Sequence, residues 1–236
     1  MGKLFDRIAQ DIRLVEGLTA CINCGTCTAI CPAAEFYDYE PRSIVDIVQS
    51  KDDDKIAALL SSDTIWYCGE CMSCKTRCPR GNTPGLIIMA LRATSQEMGY
   101  FVNSEKGRQQ LLLKRVIGHN ILETGYCVLN KTVVPSLHPE QGPTWEWGYE
   151  NMQKVYEKMG ANLDGEGTGA LRKIPKEALD ELKAIFEVTG GFKRFEMIEA
   201  HSKKAAQDRG LEFGEGLDNE YVAELISANN QNHCKL

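Results

Sequence analysis

Eight cysteines between Cys21 and Cys78 fall into two runs of identical spacing, Cys21-x2-Cys24-x2-Cys27-x3-Cys31-Pro32 and Cys68-x2-Cys71-x2-Cys74-x3-Cys78-Pro79. Three thiolates two residues apart can wrap one corner of a small cluster. The fourth, set back by three residues and followed by proline, points away from that loop. Proline has no amide hydrogen and disfavours helix at the residue before it, so Pro32 and Pro79 fix the exit of each loop. Soft thiolates in sets of four suit iron–sulfur clusters or zinc. Structural zinc takes four cysteines, usually as two separated Cys-x2-Cys pairs, and a single site leaves half of these ligands unused. The pattern therefore reads as iron–sulfur. A disulfide framework fits less well, because cysteine clusters in a reducing cytosol are more often metal-binding than bridged.

The spacing resembles that of bacterial two-cluster ferredoxins, in which three cysteines of a run hold one cluster and the fourth holds the other. That resemblance implies one 4Fe-4S cluster on Cys21, Cys24, Cys27 and Cys78, and a second on Cys68, Cys71, Cys74 and Cys31. The two halves are then cross-stapled.

The chain has 236 residues, enough for one domain or two modest ones, and its 43% hydrophobic content supplies a core. A formal charge of −6 is spread evenly along it, which disfavours nucleic-acid binding, whose footprint is a basic patch. The opening stretch MGKLFDRIAQDIRLVEG carries six charges and no uninterrupted apolar run, so it reads as neither a signal peptide nor an anchor. No run of about 18 apolar residues exists, so no direct membrane insertion is expected. The expectation is a soluble, cytoplasmic protein.

Helix signals dominate the rest. Leu4, Ile8, Ile12 and Val15 recur at helical spacing and predict one amphipathic helix over residues 3–16. Gly25 permits a close backbone approach to a wrapped cluster. Between the motifs, Pro41 opens a helix carrying Ile44, Val45, Ile47 and Val48, and Asp52, Asp53 and Asp54 cap and charge another through Ile56, Leu59 and Leu60. Trp66, Tyr67 and Met72 read as shields around the clusters, and Lys75, Arg77, Arg80 and Glu70 as a solvated rim. Gly85–Gly99 reads as a largely buried helix, and Asn103-Ser104 caps a second long one with an apolar face of Leu111, Leu112, Leu113, Val116, Ile117, Ile121 and Leu122.

Cys127 reads as a small buried hydrophobe and Cys234, beside His233, as an exposed thiol in the tail. The scattered His119, His138, His201 and His233 make no catalytic metal constellation, and no catalytic residue is predicted. Pro135, Pro139 and Pro143 break the helical pattern, with Trp145, Trp147 and Tyr149 in an otherwise polar loop that forms either a lid or an interface anchor. Glycines at 160, 165, 167 and 169 read as a linker rather than a phosphate loop. Three helices follow, near 175–188, 192–209 and 218–228. The expected class is all-α: an α-helical ferredoxin domain over 1–130 and a helical C-terminal extension over 131–236, packed on the core or on a partner.

The two motifs, Asp63-Thr64-Ile65-Trp66-Tyr67 leading into Cys68, and Arg77-Cys78-Pro79-Arg80-Gly81 resemble the C-type subunit of heterodisulfide reductase over about residues 15–100. The long tail is similar to that of the heterodisulfide reductase-like complex of sulfur-oxidising bacteria and archaea. The resemblance implies two 4Fe-4S clusters that pass electrons between a flavin-containing A-type subunit and a B-type subunit whose cysteine-rich repeats carry the disulfide chemistry. This chain has no adjacent cysteine pair, so it is similar to the wire rather than the active site. Two alternatives stand beside that reading. A succinate dehydrogenase-type iron–sulfur subunit shares the helical module but adds a Cys-x4-Cys-x2-Cys motif missing here, and a two-site zinc-binding adaptor uses the same ligand count.

Overall fold

A computed structural model describes residues 3–137 and 141–228. Every regular element among the described residues is helical.

The single helix expected over 3–16 is two, α1 (Lys3–Ile8) and α2 (Ile12–Gly17). Asp11 causes the break. Its backbone is extended at φ −82°, and its carboxylate accepts the Arg13 amide at 2.9 Å, a side-chain N-cap. Restarting the helix changes its phase. Ile12 and Val15 turn outward, 63% and 61% exposed, while Leu14 and Gly17 bury. A Cβ on Gly17 would lie 3.1 Å from Ile87, Leu86 and the Thr83 carbonyl, so glycine permits this close crossing with a later helix.

Two single turns, α3 (Thr26–Ala29) and α4 (Ala33–Phe36), follow the first cysteines. Pro41 opens α5 (Pro41–Ser50), where its missing N–H costs nothing, and Ile44, Val45 and Val48 are buried. Asp52 caps α6 (Asp53–Leu60) by accepting the amides of Asp54 and Lys55, and Ile56, Leu59 and Leu60 are buried. The central helix α7 (Pro84–Met98) stops at Gly99, which adopts the left-handed conformation at φ 78° that favours glycine. Ile87, Ile88, Ala90 and Leu91 of α7 form one core with Ile8, Leu14, Ile44, Val48, Ile56 and Leu60. Each large aliphatic side chain buried there contributes about 1.5–3 kcal/mol.

Ser104 caps the next helical stretch, accepting the Gly107 amide at 3.1 Å. The stretch is not one regular helix. It runs as α8 (Glu105–Arg108), α9 (Gln110–Leu113), a π turn over Lys114–Gly118 and α10 (His119–Thr124). Leu111 and Leu122, on either side of the π turn, are buried, and Leu113 is 46% exposed. Cys127 is exposed rather than buried, and Leu129 fills the core position near it.

A polar loop was expected around the tryptophans, but α11 (Gly142–Glu150) and α12 (Met152–Lys158) form there. Pro143 lies in the first turn of α11, where it starts a helix instead of breaking one. Trp145 donates to the Val133 carbonyl at 2.9 Å and Tyr149 to that of Lys131 at 3.1 Å, and Trp147 stays exposed. The glycine-rich stretch is folded on itself. Asn162 sends its amide to the Ala170 carbonyl at 2.9 Å and its side chain to the carbonyls of Glu166 and Thr168, both at 3.0 Å.

The last helices, α13 (Lys176–Val188), α14 (Gly191–Asp208) and α15 (Glu220–Ser227), agree with the periodicity. A second core joins Phe101 and Leu111 to Ile198, Ala205, Ala206, Tyr221, Val222 and Leu225. Trp66 packs against both cores. Cys234, His233, His138 and Pro139 lie outside the described residues.

Candidate metal centre

The two cysteine loops repeat one another in conformation as well as in spacing. Asn23 and Glu70, each just before the second cysteine, are left-handed at φ 57° and 53°. Gly25 and Met72, each just after it, are left-handed at φ 81° and 57°. The Asn23 amide donates to Cys21 Sγ and the Glu70 amide to Cys68 Sγ, both at 3.4 Å. The first reversal thus turns an N–H towards the leading sulfur of each run. A hydroxyl accompanies the second cysteine: Thr26 Oγ1 lies 3.4 Å from Cys24 Sγ, and Ser73 Oγ 3.4 Å from Cys71 Sγ.

These contacts sort the thiols. Hydrogen bonding from Thr26 holds Cys24 below the usual thiol range, and Ser73 does the same for Cys71. Burial pushes Cys27 and Cys74 up. The exposed thiols are thereby biased towards the thiolate that binds metal.

Long polar side chains on neighbouring helices hold the first cysteine of each run. Gln49 of α5 accepts the Cys21 amide at 2.7 Å. Arg92 of α7 donates to the Cys68 carbonyl at 2.6 Å, to the Ile65 carbonyl at 2.7 Å and to Glu70 at 2.6 Å. Sequence reasoning missed both residues. Arg92 had a signal, a cation directly after the apolar run over residues 86–91; Gln49 had none.

Four cysteines line each of two cavities. Cys21, Cys24, Cys27 and Cys78 line the first, with Arg42, Arg80 and Asn82. Cys31, Cys68, Cys71 and Cys74 line the second, with Tyr39, Met72, Gly85 and Ile88. In both, three cysteines come from one run and the fourth from the other. Pro84 belongs to both walls, and charge at Cys74 acts on Cys27, so the sites are adjacent. Met72 faces the second cavity directly, while Trp66 and Tyr67 pack behind it against the core. A Cβ on Gly85 would lie 3.0 Å from Met72 Sδ and 3.7 Å from Cys74 Sγ. Glu70, Lys75, Arg77 and Arg80 are all exposed.

The donor set fits iron–sulfur clusters better than zinc. Three cysteines of one run and one of the other line each of two adjacent cavities, the ligand count of two cubane clusters. Among the described residues no helix is long and apolar enough to cross a membrane.

These features define a helical dicluster ferredoxin, and a family model described as a 4Fe-4S dicluster domain matches residues 17–82. Similarity to whole proteins reaches further. The C-type subunit of the ferredoxin:CoB-CoM heterodisulfide reductase of Methanosarcina acetivorans is 31% identical over 210 residues, covering 88% of this chain and 76% of the relative. A C-type iron–sulfur subunit of the CoB–CoM heterodisulfide reductase of Methanocaldococcus jannaschii is 30% identical, covering 65% and 76%. The C-type subunit of the H(2):CoB-CoM heterodisulfide,ferredoxin reductase of Methanothermobacter marburgensis is 26% identical, covering 67% and 85%. The chain belongs to the family of heterodisulfide reductase C-type subunits, as an iron–sulfur protein with an electron-transfer role. The likeness was expected over about residues 15–100, but a match spanning 88% of the chain includes much of the tail. The tail therefore does not set this chain apart from the methanogen proteins.

Proposed function

We propose that this chain relays single electrons through two 4Fe-4S clusters, between a flavin-containing A-type subunit and a B-type subunit on which disulfide or sulfur chemistry takes place. The observation that carries this reading is the pair of four-cysteine cavities, each closed by one cysteine from the opposite run and sharing the Pro84 wall. Cys21, Cys24, Cys27 and Cys78 hold one cluster, and Cys68, Cys71, Cys74 and Cys31 hold the other. Bound there, a cluster supplies a reversible one-electron couple whose potential depends on net charge, hydrogen bonds to sulfur and exposure to water.

The protein's own work is to hold and to shield. Gln49 and Arg92 fix the leading cysteines, Met72 and Ile88 exclude water from the second site, and the exposed Cys24 and Cys71 lie nearest the surface where electrons enter and leave. No acid, base or nucleophile is required. Residues 1–130 are the cluster-bearing unit and 131–236 the extension, whose helices α14 and α15 share a core with Phe101 and Leu111 and pack against Trp66.

Anaerobic pull-down of the tagged chain from its native host, with mass spectrometry of partners and a flavin assay, tests the relay. A flavoprotein together with a protein carrying adjacent-cysteine repeats is the expected capture. Co-captured sulfur-carrier proteins would place the relay in cytoplasmic sulfur oxidation, and their absence would favour disulfide reduction of the kind in the methanogen relatives' names. A dehydrogenase without those components would overturn the assignment of partners.

A further inference from the structure

Among the described residues, six buried side-chain polar atoms have no hydrogen-bond partner, and two of them belong to residues lining the four-cysteine cavities, one at each. Asn82 lines the first cavity. It is 2% exposed, and its Oδ1 accepts the Thr19 amide at 2.7 Å. That bond fixes which end of the amide is which and leaves Nδ2 as the unpartnered donor. Tyr39 lines the second cavity, is also 2% exposed, and its hydroxyl faces Cys68 without a partner at full hydrogen-bond geometry. Its ring is held edge-on to Tyr67 at 6.2 Å, and Tyr67 in turn stacks on Tyr37 at 4.4 Å. The hydroxyl is a buried donor on the residue that shares this cavity wall with Cys31, Cys68, Cys71 and Cys74. Leaving a buried donor without a partner is destabilising, so one such group at each site calls for an acceptor there.

We propose that Asn82 Nδ2 and Tyr39 Oη are the dedicated hydrogen-bond donors to the sulfurs of the first and second cluster, and that they set the two potentials separately. The inference rests on the two-cluster reading. A reduced cluster carries one more negative charge than an oxidised one, so a donor to sulfur stabilises the reduced form more and raises the potential. The two donors differ in kind, one a carboxamide N–H and the other a phenol O–H. They give a repeat with matching ligand loops two unequal sites.

The test uses the full chain purified anaerobically, with iron and acid-labile sulfide counted, poised over a range of potentials and followed by electron paramagnetic resonance. Tyr39→Phe removes only the hydroxyl. It should lower the midpoint of the one signal that Cys71→Ser abolishes and leave the other in place. At the native midpoint of that site the reduced-to-oxidised ratio should fall severalfold; a tenfold fall corresponds to about 59 mV for a one-electron couple. Asn82→Leu removes the donor at similar size without adding charge, and at native iron content it should lower the midpoint of the signal that Cys24→Ser abolishes. Midpoints that do not move in Tyr39→Phe at native iron content, or that move together, would overturn the donor assignment. A native chain without bound iron and sulfide would instead overturn the two-cluster reading beneath it.

Discussion

Arg92 donates to the carbonyl of Cys68 at 2.6 Å, tying the first cysteine of the second loop to the central helix. The same guanidinium reaches the Ile65 carbonyl and Glu70, and it lies 5.5 Å over the Trp66 ring. Only a planar fork can make these contacts together. Arg92→Lys should lose at least one of them, at about 1–3 kcal/mol locally. Iron analysis after dialysis should then show loss from the second site alone, with the first retained.

Cross-closure of the two cavities makes an unusual demand on the fourth cysteines. Changing Cys31 to serine should damage the cluster held by Cys68, Cys71 and Cys74, and changing Cys78 should damage the one held by Cys21, Cys24 and Cys27. Paramagnetic resonance of each variant, compared with Cys71→Ser and Cys24→Ser, decides the matter. Loss of the signal belonging to the same run would refute the pairing.

Glu199 joins α14 to the π turn. It takes hydrogen bonds from Lys114 at 2.7 Å and from Arg115 Nε and Nη2 at 2.9 and 2.7 Å. Burial pushes its carboxyl up, but the hydrogen bonds from Arg115 and Lys114 outweigh that and hold it below the usual range. A carboxyl depressed in the folded state contributes stability that is present above the unfolded value, about 4.3 for glutamate, and lost as pH falls through the lower folded value. Glu199→Gln should cost about 1–3 kcal/mol at neutral pH and flatten the acid limb of thermal stability measured against pH. A parallel drop in wild type and variant below pH 4 would exclude this role.

Leu111 is fully buried where α9 meets the terminal helices. Leu111→Ala should cost about 2–5 kcal/mol, concentrated in the second core. Limited proteolysis should then cut within α13 to α15 while the iron content holds. Loss of iron at the same protease dose would mean that the two cores unfold as one.

Local chemistry was legible from residue order. Pro41, Asp52, Ser104 and Gly99 each start or stop a helix through neighbours within one turn, and each does so in the structure. Asp11 and Pro143 carry the same chemistry but sat inside patterns that pointed elsewhere, an unbroken apolar period in one case and a proline-rich loop in the other. Cys127 was misjudged because burial depends on which surface covers a residue, and nothing adjacent to it in the chain reports that.

By itself the sequence determined the all-helical class, the two equivalent cysteine loops and the helices between them, because caps, prolines and ligand spacing act over a few residues. It pointed to cross-closure of the sites only through resemblance. The tertiary structure decided that Cys78 shares a cavity with Cys21 and Cys31 with Cys68, that Gln49 and Arg92 grip the leading cysteines, and that Asn82 and Tyr39 each leave a donor buried beside one set of sulfurs. Each of these depends on residues distant in the chain being brought together by the packed helices, and no local spacing encodes it.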